Sequence, residues 1–150
     1  MGILGRMYKL LNVAGPTHEG QEDRRPLQLQ INEAQRELDR AVYKGQTDNG
    51  AIQARIEQMQ SVLAERNHHG QELERQQDQL DAAMALYEAN VDDMFDGPHP
   101  YVRLMQIYDD KGALEDAKRV ARACLAHVTS GLPEDVRALC LDILQRGGSL

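Results

Sequence analysis

The chain has no tryptophan and one phenylalanine among its 150 residues, so its core must be built mainly from aliphatic side chains. Cysteine occurs only at Cys124 and Cys140. That is too few for a disulfide framework and fits the reducing cytoplasm. No apolar run approaches the roughly 20 residues needed to cross a bilayer. Arg6 and Lys9 interrupt the apolar part of the first 13 residues, which argues against a secretory leader. A glycine-rich phosphate loop, HExxH, GxSxG and CxxC are all missing. So is the DxDxDG spacing of a calcium loop. No catalytic, cofactor-binding or metal-ligating residue is assigned, and a non-enzyme is expected.

The formal net charge is −7. Residues 71–96 hold eight acids (Glu72, Glu74, Asp78, Asp81, Glu88, Asp92, Asp93 and Asp96) against one base, Arg75, and so account for the whole imbalance. Phosphate backbones repel such a surface, which excludes nucleic acid as the expected partner. A basic surface would be attracted to it, and the bland alternative is a solvated acidic helix face.

Glycine and proline gather at segment edges, as in an all-helical chain. In residues 1–13, Ile3, Leu4, Met7, Leu10 and Leu11 fall on one helical face. This amphipathic helix could pack on its own protein, dock into a partner or touch a membrane surface between Met1 and Leu11. Its two cations give only weak attraction to lipid, and Arg6 stands where a myristoylation signal needs Ser or Thr. Residues 14–26 carry Gly, Pro and mixed charge without apolar periodicity and read as a linker. From residue 27 to 150 a helical domain is expected. Leu27, Ile31, Ala34, Leu38 and Ala41 alternate spacings of four and three, a coiled-coil type of seam. After the turn formers of residues 45–50, Ile52, Ile56, Met59 and Leu63 resume it. Residues 27–66 should therefore form an antiparallel helical hairpin. The NHHG of residues 67–70 reads as a break. A long helix over 71–95 should follow, with a bend or break near Asp78, ended by Pro98 and Pro100. Further helices are expected over 101–111, 114–128 and 133–146, with Gly112 at the reversal between the first two.

The chain also repeats. QDQLDAAMALYEANV, ending at Val91, overlies KGALEDAKRVARACL, ending at Leu125, with a shift of 34. Leu80 then matches Leu114, Ala83 matches Ala117, Leu86 matches Val120 and Tyr87 matches Ala121. A period of 34 is that of the tetratricopeptide repeat, and residues 98–128 resemble one. Tyr101, Leu104 and Tyr108 stand at consensus positions of the first helix, Gly112 at the inter-helix turn and Ala117 at the small residue where the helices touch. Met105 and Ala121 depart from the pattern. Upstream, only the second helix matches: Asn67, Gly70 and Glu74 fall where Tyr, Leu and Tyr belong. The phrase FDGPHPYVRL also resembles a segment of bacterial proteins that carry such repeats. The resemblance spans residues 78–128 and implies a short array of stacked helix pairs in residues 71–128, with the hairpin on one side and a capping helix at 133–146.

The resemblance further implies a binding groove lined by His99, Val102, Gln106, Asp109 and Asp110. Val102 and Asp110 stand where cations would be needed to hold a carboxylate terminus, so a basic or amphipathic segment of another protein or peptide is the expected ligand. Glu88 and Asp92, on the acidic segment, are expected to join that surface. The protein would then be a small adaptor or assembly subunit. The alternative is a scaffold that self-associates into a homo-oligomer through the seam of residues 27–66. Other side chains are weaker candidates. Cys124 and His127 lie three apart on a helix, close enough to touch, but Cys124 shares an apolar face and reads as a buried small residue. His68 and His69 point different ways and suit a polar helix end better than a metal.

Overall fold

In the computed structural model, residues 10–11 and 23–147 are described here. They are all-helical. Six helices follow in order: α1 (Leu27–Tyr43), α2 (Gly50–Glu74), α3 (Leu80–Asp92), α4 (His99–Asp110), α5 (Leu114–His127) and α6 (Glu134–Gln145). Each packs on the next, and α3 also touches α5. No described helix is long and apolar enough to cross a membrane.

The seam folds the first two helices together. Leu27, Ile31 and Ala34 are buried against Ile56, Met59 and Leu63, with Leu38 and Ile52 at the margin. The Arg55–Glu37 ion pair, at 2.7 Å, ties the middle of α1 to the start of α2. At the other end the Leu27 N–H donates to Asp93, which also holds Arg66 of α2. The two helices therefore run in opposite directions. Their seam is already covered, so self-association through it would require them to part.

The break expected at residues 67–70 is absent. α2 is one helix of 25 residues, and His69 and Gly70 lie buried inside it. A mid-helix glycine costs roughly 1 kcal/mol relative to alanine. Here the ring of Tyr87 takes up the missing side chain's space: a Cβ on Gly70 would lie 2.5 Å from Tyr87 Cε1. Residues 71–95 are divided by the break expected near Asp78. α2 stops at Glu74, and α3 starts only at Leu80. Arg75, Gln76, Gln77 and Asp78 between them are exposed, with nothing apolar to hold a helix against the body.

The main core joins Leu73, Leu86, Tyr87, Tyr101, Leu104, Met105, Val120 and Cys140 with smaller neighbours from α2 through α6. Leu10 belongs to it as well, at 6% exposure. Its carbonyl accepts a 2.7 Å hydrogen bond from Arg66 Nε. The end of the expected amphipathic helix is thus part of the core. Residues 1–9 and most of the expected linker lie outside the described residues.

Gly112 adopts φ 72° and reverses the chain between α4 and α5, where a side chain would be strained. The N–H of Ala113 closes the turn on the Tyr108 carbonyl at 2.8 Å. Glu115 and Asp116 occupy the first turn of α5, where the helix dipole favours negative charge. α6 buries Cys140 and Ile143. Arg146, just beyond α6, bonds Asp109 of α4 at 2.6 Å.

Candidate functional site

By helical spacing, His99, Val102, Gln106, Asp109 and Asp110 share a broad side of α4. The structure gives them different environments. The imidazole of His99 stands edge-on to the Tyr87 ring at 5.7 Å between centroids. Its Nε2 is buried without a hydrogen-bond partner. Burial lowers its pKa, with Arg103 acting in the same sense and Glu74 against. Val102 is half-buried at the edge of the main core. Gln106 is exposed and accepts from Arg103 Nη1. Arg103 in turn bonds both Glu74 carboxylate oxygens at 3.0 Å, joining α4 to the end of α2. Asp109 turns towards Arg146. Asp110 is exposed and forms no salt bridge among the described residues. The open part of this side is therefore Val102, Gln106 and Asp110.

Much of the acidic segment is engaged within the molecule. Glu88 accepts from the Tyr108 hydroxyl at 2.5 Å and from Arg119 at 2.6 and 3.1 Å. The Arg119 guanidinium also lies 5.9 Å from the Tyr108 ring centroid. Burial, the Glu88 hydrogen bond and its charge push the Tyr108 phenol up to about 12. Glu74 holds Arg103, and Asp93 holds Arg66. Asp96 accepts from the N–H groups of Thr129 and Ser130 and from the Ser130 hydroxyl. Burial alone would raise the Asp96 pKa, but these hydrogen bonds outweigh it and hold the carboxyl below 3.8. Asp78, Asp81 and Asp92 of this segment remain exposed. The negative charge available to a partner is thus smaller than the composition suggests.

Cys124 and His127 are not brought together as a reactive pair. Hydrogen bonding with the Cys140 thiol, with burial second, pushes the Cys124 thiol upward, so it stays protonated. His127 instead lies by Tyr101, whose hydroxyl is 3.5 Å from its Nδ1. That hydroxyl donates to the Phe95 carbonyl at 2.7 Å. His68 and His69 both reach Glu72, at 3.2 and 3.3 Å. Among the described residues no three His, Cys, Asp or Glu side chains are grouped to hold a metal.

Sequence reasoning missed a buried junction around Arg66, which is 1% exposed. Its guanidinium binds Asp93 and the Leu10 carbonyl, with the Ala89 carbonyl and Asn90 Oδ1 at 3.4 Å. Asn90 Nδ2 donates to the Leu63 carbonyl at 2.9 Å. One buried cation thereby joins the segment at Leu10, α2 and the end of α3, and through Asp93 the start of α1. A signal was present: Ile52, Ile56, Met59, Leu63, Arg66, Gly70 and Leu73 continue the four-three spacing without a gap. Position 66 is polar and position 70 has no side chain, so the stripe breaks after Leu63 when only apolar residues are followed.

No protein-family model matches the chain, and no curated protein or solved structure matches it.

Proposed function

We propose that the chain is a protein-binding module built on a tetratricopeptide-like arrangement, acting as a small adaptor or assembly subunit in the cytoplasm. The observation that carries this reading is a shared register in two successive helix pairs. α3 and α5 begin at Leu80 and Leu114, 34 residues apart. Ala83 and Ala117, Leu86 and Val120, Tyr87 and Ala121, and Asn90 and Cys124 are all fully buried at that same shift. Residues 66–74 at the end of α2 then play the first helix of the upstream pair, and α4 plays it downstream. The Glu74–Arg103 bond links the end of α2 to α4. Stacked pairs of this kind present one row of first helices to a ligand.

The surface so formed has an apolar edge at Val102, an amide at Gln106 and an unpaired carboxylate at Asp110. An amphipathic segment with a basic or hydrogen-bond-donating residue beside an apolar one suits it. The test uses the full chain as bait against the Val102→Arg/Asp110→Lys variant, after circular dichroism has shown both to be folded. A partner enriched by the wild type should be lost with the variant and should bind the purified wild type directly. Identical enrichment by both proteins would end the assignment of this surface.

A further inference from the structure

α1 carries a second stripe that no other described helix covers. Leu29, Glu33, Arg36, Arg40 and Tyr43 alternate spacings of four and three, two residues out of phase with the buried seam. That offset places them on the opposite side of the helix. Leu29 is 38% exposed and Tyr43 is 93% exposed. Between them, Glu33, Arg36, Glu37 and Arg40 line one shallow hollow. Glu33 and Glu37 hold Arg25 and Arg55 at 2.7 Å, and their oxygens keep lone pairs for a second guanidinium. Arg36 and Arg40 form no salt bridge among the described residues.

The charge order along this stripe is complementary to itself. A twofold axis placed between Arg36 and Glu37 brings a second α1 across the first in the antiparallel sense. Glu33 then meets Arg40 of the second copy, a pairing that occurs twice, and Glu37, on the flank held by Arg55, adds negative charge beside the two Arg36 side chains at the centre. The same operation brings the exposed Tyr43 of each copy next to Leu29 of the other. A parallel pairing would set Glu33 against Glu33 and Arg40 against Arg40, which like-charge repulsion opposes. We propose that the outer face of α1 is an isologous docking surface whose occupant is α1 of a second copy of this chain, lying antiparallel. The stripe from Leu29 to Tyr43 is about 21 Å long, so the interface is small and its charged part responds to salt.

Sedimentation of the full chain over a dilution series reaching about 0.5 mM, at low and high salt, tests this. The expected result is a reversible monomer–dimer equilibrium that high salt weakens. Arg40→Glu and Glu33→Arg should each weaken it by about tenfold. Mixing these two variants should restore pairing, because each then meets its opposite charge. In a second measurement, Leu29→Cys mixed with Tyr43→Cys should form a covalent dimer under mild oxidation faster than Tyr43→Cys alone. All four positions are exposed, and circular dichroism checks that the fold is kept. A monomer throughout the series would overturn the proposal, as would a dimer indifferent to both reversals. Faster cross-linking of Tyr43→Cys alone would overturn it too, since that marks parallel helices.

Discussion

Gly70 and Tyr87 in the upstream helix pair occupy the positions that Leu104 and Ala121 occupy 34 residues later, and all four are buried. Downstream, the first helix supplies the bulk and the second the gap. Upstream the roles are exchanged, and the Tyr87 ring reaches in to where a side chain on Gly70 would stand. The polar content differs as well. Asn90 and Arg66 bind carbonyls and Asp93 upstream, whereas the matching Cys124 and Pro100 are buried in a largely apolar setting. Close packing constrains the summed volume at a helix contact, and either helix can provide it. Two pairs can therefore share a register while one of them loses the sequence pattern.

An exchange of the two residues would break this comparison or sharpen it. Tyr87→Ala should cost about 3–5 kcal/mol by opening a cavity, and Gly70→Leu about 3 kcal/mol by overpacking against the ring. The double variant copies the downstream arrangement. Its loss in urea denaturation should fall short of the sum by about 2 kcal/mol or more. Strict additivity would mean that the two positions do not share a space.

Next in size is the polar junction found only upstream. Arg66→Met leaves Asp93 and the Leu10 carbonyl without their buried partner and should cost about 3 kcal/mol. Adding Asp93→Asn should return part of that loss by removing the stranded charge. If Arg66→Met melts like the wild type, the junction contributes no net stability.

The smallest effect concerns the two half-buried imidazoles, His99 beside the upstream pair and His127 at the end of the downstream one. Burial lowers both below the ordinary 6.5. The unfolded chain consequently binds more protons than the native one just below that pH. This stability is complete above about pH 6.5 and falls as the pH drops towards the folded-state values. The melting temperature should decline between about pH 7 and pH 5, and His99→Phe with His127→Phe should flatten the decline. An unchanged slope in the double variant would place the titration elsewhere.

The sequence announces its helices where apolar spacing is regular. The α1 seam, the turn at Gly112 and the helix expected over 133–146 all appear close to their expected positions. The opening of α2 and the course of α5 are legible for the same reason. The middle of α2 is not, because NHHG has the composition of a turn and the ring that packs against Gly70 comes from a tyrosine 17 residues later. The engagement of the acids is equally hidden. Glu88 lies 31 residues from Arg119, and Asp96 lies 34 from Ser130, so summed charge overstates what remains exposed. On the candidate surface, Asp110 lies in the open, whereas His99 is turned against Tyr87. That contact cannot be foreseen without knowing that Gly70 lets the ring move inward.

The unbroken course of α2 has a mechanical consequence. Its first half grips α1 and its second half seats Tyr87, so a single rod of about 37 Å serves both bodies without a joint. A tilt of α2 at the end near Tyr43 would therefore be felt at Gly70 and in the α3 helix whose Tyr87 ring is seated there.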